Sequence, residues 1–355
     1  MTARSPVDDL PEYLREKLSP QMWAVLHHQL VEAVHRRQRL TLPDDPWEAA
    51  RLDYREERAF WNVGGPVMES TVRTTIAAAG VDVPVRIHTP ATAATLAGGG
   101  GPPSSGPAVT GVGEGRGLPA ILFFHGGGFT LGDLDTHDRV QRMLAHHSGA
   151  AVVAVDYSLS PEVKYPQALR ECADVAAHLT RHGAEWGLDQ ERIAFAGDSA
   201  GSGLSIGAAL LLRDEQPEVF ARLRALVLIY GGFGLSDSAS RRLWGGDWDG
   251  MKMDDLSGFM DALYATPQDA RQVYVNPLRA DLTGLPPVFL RSAELDPLAD
   301  DSRAFAEQLR RARQPYDYHE VPGVLHSYIH FGRMLDAANQ TLAEAALFAA
   351  ARFAG

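Results

Sequence analysis

The sequence predicts an α/β fold: a mostly parallel β-sheet with helices on both faces. From Leu118 onward, short apolar runs alternate with helix-length or loop segments, and they read PAILFFH, AVVAVDY, RIAFAG, ALVLIYG and PPVFLRS. Strands linked by helical crossovers pair in parallel, and a sheet covered on both faces has continuously apolar strands. The chain has 355 residues, of which 45% are apolar, which is enough to bury a large core.

Two other patterns precede these strands. From Pro11 to about Leu40, apolar residues recur at helical spacing with charged residues between them, which predicts one or two amphipathic helices. The β-branched runs between Met68 and Pro90 flank an Ala79-Gly80 turn and predict a two-stranded hairpin. We therefore expect residues 1–66 to form an N-terminal helical cap.

Two segments interrupt the alternation. Residues 91–117 consist largely of Gly, Ala, Pro, Ser and Thr. Because such a segment buries too little apolar surface to offset its ordering entropy, we interpret it as a flexible surface insertion. Residues 235–275 contain no convincing strand but carry several large side chains, namely tryptophan, phenylalanine, tyrosine and methionine. They could contribute to a cap over the site or pack as ordinary helices, and both interpretations are open.

Composition excludes several classes of function. The formal net charge is −12, so we expect no basic surface for a nucleic acid or an anionic membrane. The N-terminus lacks the apolar core of a secretion signal, and no stretch approaches the about 18 apolar residues of a membrane span. The one cysteine, Cys172, can form no intramolecular disulfide. We predict a soluble, cytoplasmic protein without nucleic acid or membrane partners, and a homodimer is an open option.

The strongest chemical signal is the pentapeptide Gly197-Asp198-Ser199-Ala200-Gly201. It follows the predicted strand RIAFA and precedes the helical run GLSIGAALLLR, which is the strand–turn–helix setting of a G-x-S-x-G turn. In this tight, strained turn the serine hydroxyl projects above the sheet, and glycines allow the strand and helix to approach. Ser199 is therefore the candidate nucleophile, although a serine at this place can also cap a helix.

A glycine-rich loop, His125-Gly126-Gly127-Gly128, follows the buried strand ILFF. It matches the HGGG loop whose backbone N–H groups stabilise the oxyanion formed when a serine attacks an acyl carbonyl. We assign Gly127, Gly128 and Ala200 as donors, each contributing roughly 3–4 kcal/mol. The loop lacks both the P-loop lysine and the spacing of a dinucleotide-binding turn, which argues against phosphate binding.

A serine nucleophile needs a histidine base, which this type of fold places after the serine and the acid in the chain. His319, His326 and His330 are the histidines that follow the serine turn. His326, in the loop PGVLHSY, is best placed. His319 lies in a strand-like run and His330 is expected a turn into the closing helix, so both are read as packed or solvated side chains.

The acid that orients the base is sought after the strand PPVFLRS, because open α/β sheets place their sites at the carboxyl ends of strands. Asp300 and Asp301 are expected to open the next helix, where carboxylates favour the dipole and cap free N–H groups. This leaves Asp296, fixed by Pro297, as the orienting carboxylate, with Glu294 as the alternative.

Together these motifs resemble one family, the hormone-sensitive-lipase-like branch of the α/β hydrolases, and within it the bacterial acetyl esterases. The resemblance runs from about Met68 to the C-terminus. It rests on the His326 loop and on four motifs in the family's order: HGGGF at 125–129, DYSLSPE at 156–162, GDSAG at 197–201 and DPLADD at 296–301.

The resemblance implies an α/β-hydrolase fold with a catalytic domain over residues 67–355. It also implies a catalytic triad and structural supports for the site. The triad is Ser199, Asp296 and His326, and the supports are His125, Gly126, Asp198 and the Asp156 loop.

One segment points to a subfamily, and two positions differ from the usual family sequence. The segment from Ser240 to Gly250 is similar to one that acetyl esterases carry between nucleophile and acid. Ser202 stands where the family usually has glycine, and Ser327-Tyr328 replaces a small residue and phenylalanine. These departures leave the shape of the pocket open.

We therefore expect a serine carboxylesterase that hydrolyses short-chain esters, acetyl to about butyryl, through an acyl-serine intermediate and without a metal or organic cofactor. The resemblance favours short acyl chains, as do the Trp and Met residues of the N-terminal and middle segments, which could narrow a pocket. Two alternatives stay open. One is an amide or carbamate hydrolase with the same triad, and the other is a non-catalytic member of the fold that binds a ligand or a protein partner.

Overall fold

The structure, a computed structural model, describes residues 10–91, 117–246 and 248–354. Its sheet has the strand order β1-β2-β4-β3-β5-β6-β7-β8. The hairpin β1–β2 and the pair β2–β4 are antiparallel, and the other neighbouring pairs are parallel, which confirms the predicted mostly parallel sheet. The strands are β1 Met68–Ala78, β2 Val81–Pro90, β3 Leu118–Phe124, β4 Ala151–Val155, β5 Leu188–Asp198, β6 Leu223–Ile229, β7 Val288–Leu295 and β8 Tyr316–Leu325.

Helices precede the sheet and connect its strands. Ser19 and Asp45 accept hydrogen bonds from the first backbone N–H groups of α2 and α3, and such caps satisfy donors that have no partner within the helix. The helices are α1 Glu12–Arg15, α2 Pro20–Arg39, α3 Pro46–Trp61, α4 Asp138–Ser148, α5 Gln167–His182, α6 Ala200–Glu215, α7 Pro217–Phe220, α8 Ala239–Trp244, α9 Met253–Leu263, α10 Ala299–Arg311 and α11 Asp336–Phe353.

The central strands bury side chains on both faces of the sheet. Leu122 and Phe124 of β3 belong to a core shared with α5 and α6, whereas Ile121 and Phe123 belong to a second core shared with α4 and α11. Successive side chains of a strand point to opposite faces, so the continuous apolar runs follow from this double burial. Cys172 of α5 is completely buried in the first core.

Several predictions outside the sheet can also be compared with the structure. Residues 235–275 form α8, α9 and loops, with no strand in the described part of that segment. The predicted insertion over residues 91–117 lies outside the described residues, except for its two end residues. Across the ranges that the structure covers, no helix combines the length and apolar content that crossing a membrane requires.

Two predictions near the C-terminus are wrong. His330 lies in a separate 3-10 turn, Tyr328–Phe331, and the closing helix begins only at Asp336. Asp300 and Asp301 do fall in the first turn of α10, but neither caps it. Their carboxylates reach instead to backbone N–H groups of the segment after β6, because that segment packs against the start of α10.

Candidate active site

Ser199 occupies the turn between β5 and α6 in a strained backbone conformation, with φ 53° and ψ −119°. Non-glycine residues seldom adopt positive φ, and such strain is typical of functional turns. A Cβ atom at Gly201 would overlap the carbonyl oxygen of Phe124, and one at Gly197 would overlap that of Gly201. Both glycines are therefore required by close backbone approach. The Ser199 hydroxyl makes no capping hydrogen bond to α6.

The structure brings Ser199, His326 and Asp296 together at the carboxyl ends of β5, β8 and β7. Ser199 Oγ lies 2.9 Å from His326 Nε2, and His326 Nδ1 lies 2.8 Å from Asp296 Oδ2. The other carboxylate oxygen of Asp296 accepts from Leu298 N at 2.7 Å. A neutral imidazole that donates from Nδ1 to Asp296 can accept the serine proton at Nε2.

The protonation of His326 reflects two opposing effects. Burial disfavours the charged imidazolium, but the adjacent Asp296 carboxylate outweighs it, and the pKa of His326 is raised above its ordinary value. Asp296 itself is completely buried. A buried carboxylate facing an imidazole both fixes the ring and stabilises the imidazolium that forms when the serine proton is transferred.

The alternative base and acid candidates lie elsewhere. His319 is exposed on β8. Glu294 accepts from Gly323 N at 2.8 Å and faces Lys17 at 3.6 Å, so its carboxylate binds neighbours other than the His326 ring. His330 is buried beside Asp198. Of the candidates, only His326 and Asp296 continue a hydrogen-bonded chain from Ser199.

The glycine loop presents backbone N–H groups beside the serine turn. Gly127 and Gly128 have φ of 122° and 60°, values that glycine adopts without strain. Within the described residues, the N–H groups of Gly127, Gly128 and Ala200 donate to no protein acceptor, which leaves them available to an oxyanion. Gly126 differs, because its N–H donates to Asp198 Oδ1 at 2.9 Å and so ties the loop to the serine turn.

Asp198 lies at the centre of a buried polar cluster that our sequence reasoning missed apart from Asp198 itself. Its carboxylate oxygens lie 3.3 Å from His137 Nε2, 3.6 Å from His330 Nε2 and 3.2 Å from the Tyr230 hydroxyl. Burial opposes ionisation of Asp198, but the facing His137 more than offsets it and holds the pKa well below its usual range. Tyr230 also packs on the His326 ring, with ring centroids 4.7 Å apart, so the cluster supports the base as well as the loop.

The same cluster has the donor types of a metal site. One donor atom each of His137, Asp198 and His330 lie within 4.8 Å of one another. However, the Asp198 oxygens already accept from Gly126 and Tyr230. The buried Arg58 also places a positive charge near His330, which together with burial lowers the pKa of His330. We therefore interpret the cluster as a buried polar support for the glycine loop and the serine turn.

His125 braces the glycine loop from the side of β3. Its ring stacks on Tyr157 with centroids 4.2 Å apart, and the Tyr157 hydroxyl donates to the His125 carbonyl oxygen at 2.7 Å. Burial lowers the pKa of His125 to about 4, so the ring is neutral at neutral pH. Asp156, one residue before Tyr157, lies 3.9 Å from His125 Nε2. The role of His125 as a structural support stays a prediction.

A cavity of about 820 Å³ opens on Ser199. The Phe259 ring of α9 covers the glycine loop, since a Cβ atom at Gly128 would lie 2.7–2.9 Å from it. Described residues of the 235–275 segment therefore line the cavity, and its assignment as part of a cap stays a prediction. Most of the lining side chains are apolar, both in the segments around the serine turn and in the 235–275 segment. They include Phe129, Leu169, Leu204, Met253, Leu256 and Met260.

The N-terminal helices contact the site region from outside this cavity. None of the described residues before Gly128 belongs to its lining, so the expectation that N-terminal tryptophan or methionine narrows it is wrong. Arg51 of α3 instead donates to Thr130 O at 2.8 Å and to Ser160 O at 2.9 Å, and it pairs with Glu162. These contacts hold α3 against the segments that follow the glycine loop and β4.

Sheet order and the serine turn at the end of β5 place the protein in the class of α/β hydrolases. In agreement, residues 121–330 match a family described as an alpha/beta hydrolase fold. The chain belongs to this family.

Relatives within the family share most of the chain. Acetyl esterase of Salmonella choleraesuis (strain SC-B67) is 39% identical over 330 residues, which cover 91% of this chain and 94% of the relative. Acetyl esterase of Salmonella schwarzengrund (strain CVM19633) is 40% identical, with 86% and 90% covered. These matches confirm the resemblance drawn from the motifs.

Solved esterase structures have the same fold. An esterase from Pyrobaculum calidifontis has a TM-score of 0.78 at 29% identity, with 94% of this chain and 98% of that chain covered. A thermostable esterase from Pseudomonas putida ECU1011 also has a TM-score of 0.78, at 26% identity, with 95% and 98% covered.

Proposed function

We propose that the protein is a serine carboxylesterase that hydrolyses short-chain esters, from acetyl to about butyryl. The observation that carries this proposal is the hydrogen-bonded chain from Ser199 through His326 to Asp296, beside backbone N–H groups without protein acceptors. The relatives named acetyl esterase support the short acyl chain. An assembled triad disfavours a purely binding role, and nothing in the site favours amides or carbamates over esters.

The geometry supports acyl transfer in two steps. Ser199 Oγ attacks the ester carbonyl while His326 Nε2 accepts its proton, and the N–H groups of Gly127, Gly128 and Ala200 stabilise the oxyanion. His326 then protonates the leaving alcohol, and an acyl ester on Ser199 remains. Water, deprotonated by His326, attacks this ester and releases the acid, which restores the serine.

Hydrolysis of p-nitrophenyl acetate tests this function. We expect Ser199→Ala and His326→Ala each to lower kcat by roughly 10⁴-fold or more, because triad members act as a unit. His319→Ala removes an exposed histidine from the same strand region and serves as the matched control, with wild-type activity expected. Substantial turnover by Ser199→Ala would overturn the proposal, and a rate maximum at octanoyl or longer p-nitrophenyl esters would overturn the short-chain preference.

Several finer expectations belong to the same proposal. We propose residues 1–66 as the cap of a catalytic domain spanning 67–355. A cytoplasmic location, the lack of nucleic acid and membrane partners, and a homodimer are also predictions, and sedimentation analysis of the purified protein checks the last of these.

A further inference from the structure

One end of the cavity carries cationic and amide side chains. Arg241, Asn276 and Arg279 all line it, in the same cavity as Ser199. The wall beside the serine turn has a different character, since Gly203 packs on Gly232 there and the remaining contacts are apolar. Ligand pockets commonly combine an apolar wall with a few placed polar groups that fix orientation, so the polar end requires an explanation.

Direct contacts hold these polar residues around one loop. The Arg241 guanidinium pairs with Asp301 at 3.0 Å, and Asp301 also accepts from Gly234 N at 3.0 Å. Asn276 Nδ2 donates to Gly234 O at 3.3 Å, and Arg279 N donates to Asn276 O at 3.0 Å. The loop that follows β6 is therefore the common support.

Donors and charge at this end are not fully used within the chain. Arg241 is neutralised by Asp301, which lies 3.0 Å from its guanidinium. The exposed Arg279 side chain forms no ion pair or hydrogen bond with any residue that the structure describes. Among the residues that the structure describes, the lining contains one carboxylate, Asp261 of α9, which is exposed. Arg279 thus adds a cation that Asp301 does not neutralise.

The loop after β6 also connects the polar end to the serine turn. Gly232 contacts Gly203 next to the turn, and Gly234 contacts Asn276 at the polar end. These two glycines are two residues apart, so at most about 7 Å of backbone separates them. This short stretch of backbone therefore links the wall beside the serine turn to the loop that supports the polar end.

We propose that this end of the cavity is a subsite for a carboxylate carried by the ester substrate, with Arg279 as its ligand. The planar guanidinium pairs with carboxylates through two parallel hydrogen bonds. The inference rests on the proposed esterase function and deepens it: the preferred substrates are esters whose acyl or alcohol part ends in a negative charge.

Two matched pairs of esters test the subsite. For the acyl side, the mono-p-nitrophenyl ester of glutaric acid is compared with p-nitrophenyl pentanoate. For the alcohol side, 4-carboxyphenyl butyrate is compared with phenyl butyrate. The measured quantity is the ratio of kcat/KM for the charged ester to that for the neutral one. Comparing this ratio between enzyme variants cancels the intrinsic reactivity of each ester.

Arg279→Gln is expected to lower the ratio by about tenfold or more in one pair, since a charge-assisted hydrogen bond is lost. Arg271→Gln removes the same charge from an exposed residue of the same segment outside the lining, and it should keep the wild-type ratio. If the charged-to-neutral ratio of kcat/KM is equal in wild type and Arg279→Gln for both pairs, the subsite proposal is wrong. Hydrolysis of the neutral esters by wild type would still support the esterase function in that case. If wild type hydrolyses none of the four esters, the proposed function itself falls.

Discussion

At the scale of single residues, the protonation of His326 sets the pH range of the reaction. Only the neutral imidazole can accept the serine proton, so activity falls as pH drops through the pKa of His326. Asp296 raises this pKa most among the neighbouring charges, and Asp249 raises it further. Asp249 is a buried carboxyl group whose own pKa is raised by burial to about 7.

Replacing Asp249 should therefore move the acid limb of the pH profile. Asp249 carries its negative charge mainly above about pH 7, so in Asp249→Asn the pKa of His326 falls and the upper part of the acid limb moves to lower pH. The amide can still accept from Gly246 N and Met251 N through its oxygen. The check is kcat/KM for p-nitrophenyl acetate between pH 4.5 and 9, and an unchanged limb or a shift to higher pH would contradict the expected coupling.

At the scale of elements, Ser202 fastens α6 to the sheet. Its O–H group donates to Gly197 O at 2.7 Å, and its oxygen accepts from Ile229 N at 2.8 Å, so the side chain joins the first turn of α6 to the ends of β5 and β6. The family usually has glycine here, which lacks this hydroxyl. Ser202, which departs from the family pattern, thus links α6 to two strands close to the nucleophile.

We expect Ser202→Ala to lower the free energy of unfolding by about 1–3 kcal/mol, because a buried N–H group loses its acceptor. Ser202→Gly should cost about 1 kcal/mol more through the low helix propensity of glycine. Ser205→Ala is the matched control, since its hydroxyl bonds only to the carbonyl of Gly201 one turn earlier. Urea unfolding measures all three, and a Ser202→Ala effect no larger than that of the control would refute the fastening.

Turns, strands and helices that depend on neighbouring residues could be predicted from the sequence. Contacts between segments that are distant in the chain could not. The serine turn follows from glycine spacing between a strand and a helix, and the Met68–Pro90 hairpin from β-branched runs around a turn. His137 and Tyr230 carry no spacing signal that places them beside Asp198. Asp301 is the clearest example of a contact that the sequence does not predict. Its position predicted a helix cap, but its carboxylate accepts from three backbone N–H groups of the loop after β6.

At the scale of the whole molecule, Asp156 makes global stability depend on pH. Burial and the nearby Asp133 raise the pKa of Asp156 to about 6, above the about 3.9 of an unfolded chain. The folded state therefore binds this proton more tightly than the unfolded state. The ionisation of Asp156 therefore does not lower the free energy of unfolding below about pH 4. The loss grows as pH rises from about 4 to about 6 and is constant above that range.

Asp156→Asn removes this cost, so it should raise Tm at pH 8 by more than at pH 5. Asp82→Asn, which alters an exposed carboxylate on the hairpin, controls for the general loss of a negative charge from a chain with net charge −12. Thermal unfolding at the two pH values gives the comparison. Equal Tm changes at pH 5 and pH 8 would remove Asp156 as the cause.

The burial of Cys172 has a practical consequence for labelling. Burial raises the pKa of its thiol well above the ordinary range, and a thiol that is neither ionised nor accessible does not react with maleimides. A cysteine introduced at Leu347, an exposed residue on the outer face of α11, would then be the single reactive thiol. One fluorophore or surface tether could be attached there without first replacing the native cysteine.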